Sequence, residues 1–104
     1  MADQSSDRKA RRRADQALLA GYHEARLADL LEHVRAGFAE YDAGRIDAFD
    51  LDGIIHHRQR AARELRTFCA ASGAQVETAA RTLELLKERG EEPDWWRAAE
   101  RARR

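Results

Sequence analysis

The segment from Tyr41 to Leu51 constrains the fold more than any other part of the chain, because it combines a helix stop with a helix start. Gly44 is the residue best able to adopt the left-handed conformation that closes a helix C-terminus. Asp47 can cap the next helix, and Asp50 occupies the third helical position that completes a capping box. The sequence therefore predicts two consecutive helices joined by a tight turn, which is a helical hairpin.

Apolar side chains at helical spacing predict where the helices lie. In the first helix a 4-3-4-3 spacing, typical of a coiled-coil seam, places five of them on one side: Leu27, Leu31, Val34, Phe38 and Tyr41. Similar patterns, a capping box that starts at Ser72 and the breaker at Gly90 predict helices over about residues 14–42, 48–71 and 74–89. Pro93 is expected in the first turn of a short last helix. We expect an all-α fold in which an antiparallel helical hairpin, a third helix and a short C-terminal helix form a small bundle. The pattern leaves open which side of the hairpin the third helix covers.

The ends of the chain differ from its middle in charge. Residues 1–13 carry five basic and two acidic side chains and residues 97–104 carry four basic and one acidic, although the net charge of the whole chain is zero. We therefore predict a basic flexible N-terminal arm over residues 1–13 and a helical domain over 14–90. The remaining 91–104 form a basic C-terminal segment that contains both tryptophans.

Size and composition restrict the cellular setting. The single cysteine cannot form a disulfide within the chain, the N-terminus lacks the apolar stretch of a secretion signal, and no apolar run approaches the roughly 18 residues of a membrane span. These features predict a cytoplasmic protein that does not contact membranes. A domain within 104 residues buries a small core, so a homodimer that shares apolar faces is one expected solution.

No residue pattern predicts catalysis or a bound cofactor. Gly44 lies at the centre of a turn similar to a calcium-binding EF-hand loop, but the expected ligand positions hold Ala39, Tyr41 and Ala43. Cys69 lies among apolar neighbours and is predicted to be a buried, inert thiol. We therefore predict that the protein is not an enzyme and carries no cofactor.

Two histidines have the spacing of a possible metal site. His33 and His56 each follow an aspartate by four residues, at Asp29 and Asp52, and they lie level with each other when the hairpin folds about Gly44. In antiparallel helices, however, the two rings point to opposite flanks, so a shared site would need a second chain. We predict no metal site, while the sequence leaves open whether His33 or His56 binds one.

The segment from Phe38 to Leu51, continued through Ile54 to Cys69, resembles small helical proteins of high-GC actinobacteria whose function is not characterised. The resemblance covers about a third of the chain. It implies a bacterial, cytoplasmic protein and suggests no activity, cofactor or catalytic residue.

Three hypotheses for function follow. The first is a non-enzymatic module for self-association or for docking on an unidentified protein, which would use Trp95 and Trp96 as anchors and Leu27, Leu31, Val34 and Phe38 as a packing face. The second is a nucleic-acid-associated regulator whose basic tail contacts phosphates through Arg8, Lys9, Arg11, Arg12 and Arg13. The third is a metal-binding protein that uses histidine and aspartate. The sequence identifies neither the pathway nor the partner, and it leaves the oligomeric state open.

Overall fold

A computed structural model describes residues 2–70 and 74–102, and within them the chain forms four helices and no strand. The helices are α1 (Ala2–Asp42), α2 (Ala48–Cys69), α3 (Ala74–Glu88) and α4 (Trp95–Ala102). The predicted all-α bundle is therefore confirmed. At 1.5 Å rise per residue α1 is about 60 Å long, which accounts for most of the 66 Å length of the molecule.

The hairpin turn has the predicted local structure. Gly44 has a φ of +76°, and the amides of Gly44 and Arg45 donate to the carbonyls of Tyr41 (3.0 Å) and Glu40 (2.9 Å), which is a Schellman motif. Asp47 caps α2: its carboxylate accepts from the Asp50 amide at 2.8 Å, while the Asp50 carboxylate accepts from the Asp47 amide at 3.2 Å. Both halves of the predicted capping box are present.

Helix boundaries differ from the predicted ones at two places. α1 begins at Ala2 and not near residue 14, because the intervening residues are mostly good helix formers without Gly or Pro, so nothing in them ends the helix. Pro93 precedes α4 instead of opening it, since Asp94 caps this helix by accepting from the Arg97 amide at 3.1 Å. Ser72, which the sequence pattern favours as the cap of α3, lies outside the described residues.

The core consists of two clusters, which meet at the half-buried Tyr22. The first core cluster joins α1, α2 and α4 through buried residues: Leu30, Ala61, Ala62, Leu65 and Ala99. The other joins α1 and α3 through a second buried set: Leu19, Val76, Ala79 and Leu83. Thus α3 packs against the N-terminal half of α1, and α4 packs mainly against α2. The sequence left the position of the third helix open, and the structure places it against α1 around Leu19.

The face of α1 that enters the core differs from its heptad-spaced stripe. Leu30 is buried, and so is Gly37, which lies against Ile54 and Leu51 of α2. Neighbouring residues on a helix point about 100° apart, so Leu31 and Phe38 turn away when Leu30 and Gly37 face inward. The hairpin therefore packs through one side of the apolar face of α1 and leaves the other side uncovered.

Candidate functional site

The heptad-spaced residues Leu27, Leu31, Val34, Phe38 and Tyr41, here called the α1 stripe, are the first candidate site. Leu31 (48%), Phe38 (46%) and Tyr41 (43%) are exposed, whereas Leu27 and Val34 are half-buried. Leu27 contacts the cluster around Leu30. The stripe is therefore a partly open apolar surface along the C-terminal half of α1, with no other part of the described chain covering its exposed members.

Trp95 and Trp96 lie at the start of α4, where they contact both helices of the hairpin. The indole Nε1 of Trp95 donates to the Tyr22 hydroxyl at 2.8 Å, and its ring lies 5.6 Å from that of Phe68. Both tryptophans are half-buried and pack against the first core cluster. Their contacts within the chain attach α4 to the hairpin, which reduces the indole surface left for a partner.

The ring of Trp96 lies between two histidines. His33 of α1 stacks on it at 4.2 Å and 5°, and His57 of α2 lies 4.2 Å away at 54°. His57 Nε2 is 2.8 Å from the Trp96 carbonyl oxygen, and His57 Nδ1 is 3.2 Å from a guanidinium nitrogen of Arg60. Because a carbonyl accepts and a guanidinium donates, both contacts are hydrogen bonds when the ring proton lies on Nε2. The hydrogen bond between His57 and the Trp96 carbonyl therefore links α2 to the first turn of α4.

The histidines of the metal hypothesis have separate surroundings. His56 pairs with Asp52 at 3.4 Å, as its spacing allows, while Asp29 pairs with Arg26 at 2.9 Å and leaves His33 to stack on Trp96. Among the side chains of the described part of the chain, no three His, Cys, Asp or Glu residues converge where they could hold a metal ion. The absence of metal binding itself stays a prediction.

Cys69 is half-buried beside the first core cluster, and burial raises the pKa of its thiol. A raised pKa lowers the thiolate fraction, and the thiolate is the reactive form. The surroundings of Cys69 therefore agree with the packing role that the sequence predicts for it.

An open groove of about 790 Å³ lies between α1, the end of α3 and the segment before α4. Apolar side chains form much of its lining, including Leu18, Leu83 and Leu86, and charged groups such as Arg26 and Lys87 also line it. Arg26 lies over the Tyr22 ring at 5.4 Å and forms an ion pair with Glu92. No local sequence pattern indicates this groove, because three segments that are distant along the chain form it.

The basic residues of the nucleic-acid hypothesis lie on the helical N-terminal part of α1. All five are exposed: Arg8, Lys9, Arg11, Arg12 and Arg13. None of them belongs to an ion pair with another described residue, and among the described side chains of α1 the first buried one is that of Asp15. These cations therefore form a separate charged surface away from the stripe and from α4. The basic side chains near the C-terminus, at Arg101, Arg103 and Arg104, lie outside the described side chains.

His57 is the residue that sequence reasoning missed. It is buried and forms two polar contacts, yet the pattern drew attention to His33 and His56. A signal was available, since His57 follows Ile54 by three residues and precedes Ala61 by four, which places it on the inner face of α2. A histidine at such a position needs polar partners, and α4 supplies one of them.

The chain thus belongs to the class of small all-α helical bundles. No protein-family model, curated protein or solved structure matches it. No described helix is both long and apolar enough to cross a membrane. The resemblance to actinobacterial proteins remains a prediction. The surfaces of this chain that bear on function are the α1 stripe, the contacts of α4 and the basic N-terminal part of α1.

Proposed function

We propose that this protein is a non-enzymatic module that self-associates through the α1 stripe. The observation that carries the proposal is an apolar heptad repeat of which only the inner side, at Leu27 and Val34, is partly covered within the chain. Leu31, Phe38 and Tyr41 keep more than two fifths of their surface exposed, although they follow the spacing of a helix-pairing seam. A surface of this kind is stabilised when another apolar helix face covers it.

The core of the monomer supports the same proposal. Five of the eleven buried apolar residues in the described part of the chain are alanines, and Leu65 is the largest fully buried side chain among them. Such a core leaves a domain marginally stable. Fully burying an exposed leucine or phenylalanine side chain contributes about 1.5–3 kcal/mol. Leu31 and Phe38 are already about half covered in the monomer, so covering the rest of each in an interface would contribute roughly half of that amount.

A second copy of the chain is the partner that the stripe fits. Each copy carries the same repeat, and a two-fold interface requires one surface that is complementary to itself. Glu32 and Arg35, which lie next to stripe residues, form an ion pair at 3.3 Å, so this neighbouring surface carries both signs of charge. Two such faces can approach without the repulsion that a surface of one sign would produce.

The tryptophans have a different role in this proposal. Trp95 donates to Tyr22, and Trp96 packs between two histidines, so both side chains are committed to contacts within the chain. We therefore assign the interface to the α1 stripe and assign Trp95 and Trp96 to the attachment of α4.

Sedimentation equilibrium of the full chain tests the proposal. We expect the mass to rise from the monomer value of 11.9 kDa to a dimer as concentration increases. Leu31→Glu and Phe38→Glu should shift this equilibrium to the monomer, because each would bury a carboxylate in an apolar interface. Circular dichroism should show that both variants keep their helical content, since the two side chains are exposed in the monomer.

Leu85→Glu is the matched control. Leu85 of α3 is 46% exposed, which is close to the exposure of Leu31 and Phe38, but it lies on another helix. We expect this variant to dimerise like the original chain. A protein that stays monomeric at every concentration, or a Leu85→Glu variant that dissociates as completely as Leu31→Glu, would contradict the proposal.

A further inference from the structure

The N-terminal part of α1 carries a second surface that neither the core nor the α1 stripe explains. Residues 4–14 are helical, and every one of them is exposed. Five of these residues are basic, and we call them the basic end of α1: Arg8, Lys9, Arg11, Arg12 and Arg13. This part of the helix buries no side chain and therefore contributes nothing to the core.

Helical geometry brings these cations close together. Arg8 and Arg12 are four residues apart, as are Lys9 and Arg13, so each pair lies on neighbouring turns of the same face. Like charges at this spacing destabilise a helix. No described acidic side chain forms an ion pair with them. The arrangement is therefore unfavourable for folding, and an anion from outside the chain would relieve it.

The chemistry of the basic end favours phosphate as that anion. Four of its five cations are arginines, whose planar guanidinium can donate two parallel hydrogen bonds to a phosphate. Residues 4–13 contain no apolar side chain larger than that of Ala10. They consequently lack the apolar face with which an amphipathic helix enters a lipid surface.

The shape of the basic end selects among nucleic acids. It is a regular helix, about 10–12 Å across with its side chains, and the major groove of B-form DNA is about 12 Å wide. The major groove of duplex RNA is too deep and narrow for such an element. We propose that the basic end of α1 binds duplex DNA, mainly through its phosphates and without strong preference for sequence.

Fluorescence anisotropy with a labelled DNA duplex of random sequence, measured over a range of salt concentrations, tests this proposal. We expect the logarithm of the association constant to fall linearly with the logarithm of salt concentration, by about 0.9 for each phosphate contacted. In the double variant Arg8→Gln, Arg12→Gln, the slope should decrease by about 1.8, and binding at low salt should weaken. Glutamine maintains helix propensity, and circular dichroism would verify that the helix content is unchanged.

The control is the double variant Arg63→Gln, Arg89→Gln, which removes two exposed arginines that lie outside both the basic end and the α1 stripe, and the same net charge. It should retain the slope of the original chain. The proposal fails if the duplex does not bind, or if the control loses as much of the slope as the Arg8, Arg12 variant. It also fails if an RNA duplex of the same sequence, or vesicles of anionic phospholipid, bind as tightly as DNA. Because the proposal does not depend on self-association, the mass measurements and the DNA titration can fail independently.

Discussion

At the scale of single residues, Tyr22 connects the two halves of the core. Its ring lies edge-on to Phe68, with 6.2 Å between centroids, and it packs against both buried clusters. Its hydroxyl accepts the Trp95 indole proton at 2.8 Å. Burial raises the pKa of the Tyr22 hydroxyl, and the hydrogen bond from Trp95 opposes this effect only in part. One side chain thus links α3, α2 and α4 to the long helix.

Tyr22→Phe should alter stability in a way that depends on pH. A raised pKa in the folded state means that the neutral hydroxyl favours folding, so this contribution is complete below pH 10 and is lost as the pH rises above it. We expect the variant to lose about 1 kcal/mol of unfolding free energy at neutral pH, because the indole N–H loses its acceptor. Above pH 10 the difference between the two proteins should narrow. Urea titrations at several pH values would measure the difference in unfolding free energy between the variant and the original chain.

Cys69 also titrates in the pH range of this experiment and must be removed from it. Burial also raises the pKa of its thiol, so Cys69 contributes a loss of stability in the same direction as the pH rises above its ordinary value of 9.0. The comparison is therefore made in a Cys69→Ala background. A stability difference that stays constant from neutral to strongly alkaline pH would show that Tyr22 ionises equally easily in the folded and unfolded chains.

At the scale of the helical elements, the glycines of α1 differ in what surrounds them. A methyl group added to Gly21 would meet no atom within 4 Å, whereas on Gly37 it would lie 3.1 Å from the Ile54 Cδ1 atom and 3.3 Å from the Leu51 Cδ1 atom. Gly37 therefore permits α2 to approach α1 closely, and Gly21 has no such role. Both residues weaken the helix relative to alanine.

Replacing each glycine by alanine separates propensity from packing. Gly21→Ala should raise the free energy of unfolding by about 1 kcal/mol, because it adds helix propensity without a clash. Gly37→Ala gains the same propensity but must displace Ile54, so we expect a smaller gain or a loss. Chemical denaturation of the two variants measures the difference. Equal gains at both positions would mean that the hairpin does not require the close approach at Gly37.

At the scale of the whole molecule, tertiary support is uneven along the 66 Å axis. The middle of α1 contacts α2, α3 and α4, whereas residues 4–14 have no buried side chain. Backbone hydrogen bonds without tertiary packing open with little free energy, even where the average structure is helical. The molecule therefore combines a packed body with an extension whose helix has only local stabilisation.

Amide hydrogen exchange should reveal this gradient. We expect fast exchange over residues 4–13 and slow exchange from Leu19 to Gly37, because only the latter range is covered by other helices. Mass spectrometry of peptides along α1 would measure it. Uniform protection from end to end would show that the N-terminal part has stabilising contacts of its own. Addition of duplex DNA should slow exchange in residues 4–13 selectively.

The hairpin could be predicted because its determinants are local. Gly44 and Asp47 act on groups within a few residues of themselves, so the helix stop and the capping box were evident before any tertiary structure was known. The stripe of α1 was also visible, since helical spacing depends on the sequence alone. The predicted start of α1, near residue 14, lay too far along the chain, because a polar segment of good helix formers favours neither order nor disorder strongly.

What the tertiary structure alone decided was which surfaces meet. Spacing identifies an apolar face but not the helix that covers it, and the hairpin packs on Leu30 and Gly37 because the missing side chain at Gly37 lets Ile54 come close. The contact between His57 and the Trp96 carbonyl joins residues 39 positions apart, which no local pattern encodes. The sequence by itself determined the hairpin turn, its capping box and the spacing of the apolar faces through interactions of short range. The exposed α1 stripe and the attachment of α4 depend on packing between distant segments, and only the folded chain brings those segments together.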